Sequence, residues 1–127
     1  MKVLLVDDDE DDVQLFGEAL KEISPHIQYL NARNGMAALE KLIDHISEPP
    51  DRVFLDINMP VMNGMECLEH IRKSPELSSL KIVIFSTSKF PAEYTRSLEL
   101  GADYWVKPGS FTTLVEILKN ELKLPIV

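Results

Sequence analysis

The stretch Val3-Leu4-Leu5-Val6-Asp7-Asp8-Asp9-Glu10-Asp11-Asp12-Val13 decides how the chain is read. Val3 to Val6 is apolar without alternation, as expected of a strand covered on both faces. An acidic run follows. Then Val13, Phe16, Leu20 and Ile23 recur at helical spacing and mark one face of a helix. Ser24-Pro25 stops that helix, because proline disfavours a helical residue before it.

The same unit repeats along the chain. A second strand is expected at Ile27 to Leu30, then an Asn34-Gly35 turn and a helix carrying Ala38, Leu39, Leu42 and Ile46, stopped by Pro49-Pro50. Arg52 to Leu55 reads as the third strand. Asn63-Gly64 starts a helix with Met65, Leu68 and Ile71 that stops before Pro75. Lys81 to Phe85 is the fourth strand. Tyr94, Leu98 and Leu100 follow Pro91 on a helix, with Gly101 as its C-cap. Tyr104 to Val106 is the fifth strand. Phe111, Leu114, Ile117, Leu118 and Leu122 mark a last helix, closed by Pro125. Alternation of this kind predicts an α/β fold, a parallel sheet with helices on both faces. Ligands bind such sheets at the C-terminal ends of the strands.

Charged residues stand at three of those predicted ends. Asp7 and Asp8 end strand one, Asp56 follows Val53-Phe54-Leu55 before Asn58-Met59-Pro60, and Lys107-Pro108 follows Tyr104-Trp105-Val106. Adjacent carboxylates repel unless a cation neutralises them, and Mg²⁺ prefers hard oxygen ligands. Asp56 is then either a further metal ligand or a nucleophile toward phosphorus. Lys107, closing a buried strand, needs an anionic partner. A cis bond before Pro108 would help to aim it. Ser86-Thr87-Ser88, after strand four, offers hydroxyls to a phosphoryl oxygen. Asp9 reads as an N-cap, and Glu10, Asp11 and Asp12 as acids that complement the helix N-terminus. A calcium loop competes on the spacing of Asp7, Asp9, Asp11 and Glu18. It lacks the glycine required where Asp12 stands, and Val13, Leu15 and Phe16 read as core-facing.

Bulk properties narrow the classes. The chain has 127 residues, 45% of them hydrophobic, which suits one domain spanning 1–127 with no output module. Acids outnumber bases 21 to 13, for a net charge of −8, which argues against nucleic-acid and anionic-membrane surfaces. No apolar stretch suits a signal peptide or a membrane span, and Cys67 is the sole cysteine, so the expected compartment is the reducing cytosol. His26, His45 and His70 show no metal-ligand spacing and are expected at the surface.

The ordered motifs resemble those of response regulator receiver domains. They are Val-Asp-Asp at 6–8, Phe-Leu-Asp-Ile-Asn-Met-Pro at 54–60 with Gly64, Phe-Ser-Thr-Ser at 85–88, Gly-Ala-Asp-Tyr at 101–104 and Lys-Pro at 107–108. The resemblance implies a flavodoxin-like sheet of order 2-1-3-4-5 with five helices. It implies that Asp56 accepts a phosphoryl group from a histidine of a kinase or phosphotransfer protein. Asp8 would bind Mg²⁺ directly, Asp7 largely through water, and Asp56 and the Asn58 carbonyl would complete the ligands. The triple aspartate leaves the register open by one residue, with the strand end favouring Asp7-Asp8. Lys107 would pair with the phosphoryl group, and Thr87 and Asn58 would meet it through their backbones. Ser86 would be the switch hydroxyl and Tyr104 the aromatic that follows it. The surface of helix four, strand five and helix five would then bind a partner or a second copy. Asp-Glu-Asp-Asp-Val and Lys-Pro-Gly-Ser-Phe look most similar to small stand-alone regulators, including those paired with bacterial phytochromes.

Two rivals remain. One is a Mg²⁺-dependent phosphohydrolase with an aspartyl nucleophile, for which Asp7 and Asp9 have the spacing, though a substrate pocket has little room. The other is a docking domain that has lost phosphorylation.

Overall fold

Strands and helices alternate without exception along residues 1–123, the part that a computed structural model describes; Pro125 lies outside it. The elements are β1 (Lys2–Val6), α1 (Glu10–Ile23), β2 (Gln28–Ala32), α2 (Gly35–Asp44), β3 (Arg52–Leu55), α3 (Gly64–Lys73), β4 (Ile82–Ser86), α4 (Pro91–Glu99), β5 (Asp103–Val106) and α5 (Phe111–Leu122). The sheet is parallel throughout, in the order β2-β1-β3-β4-β5.

Local chemistry sets most helix starts. Asp9 accepts from the Asp11 and Asp12 N–H groups, Asn34 from Ala37 and Ser110 from Thr113, each satisfying first-turn donors. Asn63 and Glu66 form a reciprocal capping box at α3. At the end of α4, Gly101 takes φ 73° just after the cap residue Leu100. Its N–H reaches Leu98 O, and the Ala102 N–H reaches Ser97 O, which closes a Schellman turn.

Alternate strand residues feed two cores. Leu4, Val6, Val53, Leu55, Ile82 and Ile84 pack with α2 and α3 on one face. On the other, Val3, Leu5, Phe54, Val83 and Phe85 pack with α1 and α5. Phe16 sits in that second core, 5.0 Å from Phe54 and 5.8 Å from Phe85 between ring centroids. Truncating so buried a ring costs about 3–5 kcal/mol.

One tie lies away from both cores. The Arg72 guanidinium, at the end of α3, donates to the carbonyls of Ser78, Leu80, Leu100 and Gly101. It joins α3 to the turn before β5 through backbone groups, and burial lowers its pKa.

Some sequence expectations shift. β2 lies later than Ile27 to Leu30, because its ladder runs on until Ala32 faces Val6. β4 reaches Ser86, which pairs with Val106. Ile46 falls beyond the end of α2 and is 44% exposed. Leu15 and Leu98 are not core residues: both face solvent, and Ser97 is the buried position of α4, donating its hydroxyl to Tyr94 O. Phe111 is also exposed, at the first residue of α5.

Candidate functional site

Parallel register brings the three charged strand ends to one edge. The Asp7 N–H bonds Ala32 O, and the Asp56 N–H bonds Val6 O, so each residue leaves its strand while still tied to its neighbour. The Lys107 N–H bonds Ser86 O at 2.7 Å. The peptide before Pro108 is trans, not the cis form that would have helped to aim Lys107, and the strand pairing places the lysine instead.

Asp7 and Asp56 are buried and Asp8 is exposed. Each offers a carboxylate oxygen, and the three lie within 4.8 Å of one another. Oxygen donors at that spacing suit a hard divalent cation. Lys107 Nζ lies 2.7 Å from Asp7 Oδ2, 2.8 Å from Asp12 Oδ2 and 3.7 Å from Asp56 Oδ2. Asp7 Oδ1 accepts from the Asp9 N–H, and Asp56 Oδ1 from the Ile57 N–H at 2.9 Å. Asp56 Oδ2 is therefore the free oxygen, on the Lys107 side.

Burial pushes the Asp56 carboxyl up to about 6; Lys107 opposes this and Asp7 adds to it. For Lys107, burial alone would lower the pKa. The hydrogen bonds to Asp12 and Asp7 and the charges of Asp7 and Asp56 outweigh it, so the ammonium is held charged.

Gly64 keeps the Asp56 loop in place. Its N–H bonds Ile57 O, and a Cβ here would overlap the Asp56 carbonyl oxygen. Val61, in the same loop, adopts φ 68° and is 79% exposed.

Ser86 is wholly buried, and its Oγ accepts from the Ser88 N–H at 3.4 Å. Thr87 and Asn58 are exposed beside it and beside Asp56. The Tyr104 hydroxyl donates to Ser88 O at 2.6 Å, and the ring packs edge-on against Tyr94 of α4. His26 and His70 are exposed, whereas His45 is half-buried with Nδ1 3.2 Å from Lys2 Nζ.

Asp12 was legible only as a helix-start acid. Its bond to Lys107 adds a second role, which the need of a buried lysine for anions hinted at without naming the partner. Asp9 Oδ1 accepts both cap bonds, at 2.9 and 3.1 Å, as its reading as an N-cap requires. Room is less scarce than expected: a cleft of about 400 Å³ opens beside Asp8, lined in part by Glu10, Arg33 and Lys41.

Residues 3–119 match the family described as response regulator receiver domain. The chain belongs to that family. It is thus a receiver domain of two-component signalling. The receiver is 38% identical over 127 residues to the protein-glutamate methylesterase/protein-glutamine glutaminase of Desulfotalea psychrophila, covering 97% of this chain and 34% of that protein. It is 31% identical over 123 residues to the response regulator Rcp1 of Synechocystis sp., covering 93% and 84%. The Mn(2+)-bound form of Rcp1 matches with TM-score 0.85 at 26% identity, covering 99% of this chain and 97% of that one. The phosphorylated cyanobacterial phytochrome response regulator RcpA matches with TM-score 0.85 at 28% identity, covering 96% and 91%. The receiver spans 34%, 26% and 15% of three curated relatives, so their esterase, phosphodiesterase and kinase names attach to longer proteins. No described helix is long and apolar enough to cross a membrane.

Proposed function

We propose that Asp56 accepts a phosphoryl group from a phosphohistidine of a partner kinase or phosphotransfer protein. The observation that carries this reading is the convergence of Asp7, Asp8 and Asp56 within 4.8 Å, with Lys107 Nζ 3.7 Å from Asp56. Asp56 Oδ2 attacks phosphorus, the P–N bond breaks, and the imidazole nitrogen keeps the electron pair. The Ile57 N–H holds Oδ1 and so turns Oδ2 toward the donor. Asp7, Asp8, Asp56 and the Asn58 carbonyl would hold Mg²⁺. That ion supplies neutralising charge to the phosphoryl oxygens, where positioning and electrostatics do most of the catalysis. The existence of an Mn(2+)-bound form of the similar Rcp1 supports a divalent cation. Lys107 turns toward the new phosphoryl oxygens, and the Thr87 and Asn58 backbones line them.

The readout follows from what Ser86 and Tyr104 hold. A phosphoryl group attracts the Ser86 hydroxyl away from the Ser88 N–H. The Ser88 carbonyl then moves, and with it the anchor of Tyr104. Tyr104 turns inward and the surface of α4, β5 and α5 changes. That surface carries Leu98 and Val106, both 47% exposed, for a protein partner or a second copy. The phosphoryl group acts by favouring one of two existing states. Likeness to phytochrome response regulators makes a phytochrome-type kinase in the cytosol the first donor to test.

The test is incubation with acetyl phosphate and Mg²⁺, followed by Phos-tag gel and mass analysis. One phosphoryl group is expected on the wild type and none on Asp56→Ala. Equal labelling of both would overturn the assignment.

A further inference from the structure

Lys107 has three N–H donors and no acceptor. Asp7 takes one at 2.7 Å and Asp12 another at 2.8 Å, while Asp56 lies beyond hydrogen-bond reach at 3.7 Å. The two bonded acids differ in what they lose if Lys107 leaves. The Asp7 side chain has no exposure, so losing Lys107 would leave a buried carboxylate oxygen without its closest donor. The Asp12 side chain is 35% exposed and can be rehydrated in place. Asp12 also stands outside the triad of Asp7, Asp8 and Asp56. Its position is not accidental to the fold: the Asp9 cap binds the Asp12 N–H at 3.1 Å and sets the first turn of α1 against Lys107.

We propose that Asp12 is a positioning residue for this receiver, holding the Lys107 ammonium toward α1 in competition with the phosphoryl group. The inference rests on the phosphoacceptor reading of Asp56. When a phosphoryl group arrives, Asp12 is the contact that yields, and Asp7 is the one that stays. Asp12 therefore weakens phosphoryl binding by a set amount and keeps Lys107 placed between turns of the switch.

The experiment titrates beryllofluoride, a phosphoryl mimic, into the full chain in saturating Mg²⁺. Isothermal calorimetry and Trp105 fluorescence read the binding, and thermal unfolding confirms the fold of each variant. Asp12→Ala is expected to tighten binding about fivefold, on the scale of one released charge-assisted contact. Asp11→Ala removes the same charge from the same turn without touching Lys107, and is expected to leave affinity within about twofold. Asp12→Glu restores an acid within reach of Lys107 and is expected to return affinity toward wild type. Equal tightening in Asp11→Ala and Asp12→Ala would reduce the effect to general charge and overturn the proposal. So would an unchanged or weakened Asp12→Ala. A wild type that does not bind beryllofluoride at all removes the phosphoacceptor reading, and this inference with it.

Discussion

Lys107 bonds Asp7, not Asp56. The ammonium sits 2.7 Å from Asp7 Oδ2 and a full ångström farther, 3.7 Å, from Asp56 Oδ2. The lysine at the end of β5 thus serves the acids at the end of β1 and the start of α1. The free oxygen of Asp56 faces a charge that it does not yet hold. A group added there finds a donor close by and not saturated.

Asp56 is costly to keep ionised. Its folded pKa of about 6 stands above the ordinary 3.8, mainly through burial, so the folded protein holds the proton more tightly than the unfolded chain. Stability from this group is present at low pH and falls as pH rises from about 4 through about 6. Asp56→Asn removes the cost and is expected to raise stability by about 2–3 kcal/mol at pH 7.5, with the gain fading toward pH 4. Urea unfolding with a chelator, at several pH values, measures it. A gain that does not vary with pH would show that the Asp56 charge is not its source.

The exposed acid is the cleanest probe of the metal. Mg²⁺ is expected to stabilise the wild type by about 2.7 kcal/mol at a hundred times its dissociation constant. Asp8→Asn should fold normally, because Asp8 is exposed, yet lose most of that gain. Thermal unfolding with and without Mg²⁺ decides. Equal stabilisation of both proteins removes Asp8 from the ligand set.

Gly64 has no room for a methyl group against the Asp56 carbonyl. Gly64→Ala must move backbone, not the far end of a side chain, and is expected to cost about 3 kcal/mol. Phosphoryl labelling should fall with it under saturating acetyl phosphate. A variant with wild-type stability and labelling would mean that the loop moves freely.

The strand ends were legible because two independent signals coincided there: an apolar run just before, and a charge with no place in a core. Asp7, Asp56 and Lys107 each satisfied both. Asp12 satisfied neither, since an acid in a first helical turn is explained by the helix alone. Leu98 matched a helical period and Leu15 was read as core-facing beside Phe16, both on sides that face solvent, and apolar spacing cannot tell how wide the covered stripe is. Pro108 showed that a proline marks a bend but not its isomer. The contacts of Tyr104 with Ser88 and Tyr94 depend on how α4 sits, and a short, polar helix leaves little of that in its sequence.

Val61 stores strain without burying anything. A β-branched residue at φ 68° is disfavoured by about 1–2 kcal/mol, and asparagine tolerates that region far better. Val61→Asn is expected to stabilise the receiver by about 1 kcal/mol, read as a higher unfolding midpoint. An unchanged midpoint would show that the loop relaxes around valine at no cost.

Arg72 gives the corner of α3 and β5 an uneven tolerance to change. Its four acceptors are main-chain carbonyls, which every amino acid possesses. Exchanging the Ser78 side chain leaves its carbonyl in place, Leu80 and Leu100 answer to the core they pack in rather than to Arg72, and no protonation of a partner can loosen the joint. This set of bonds is thus indifferent to the side chains of its acceptors and hangs on a single codon, that of Arg72.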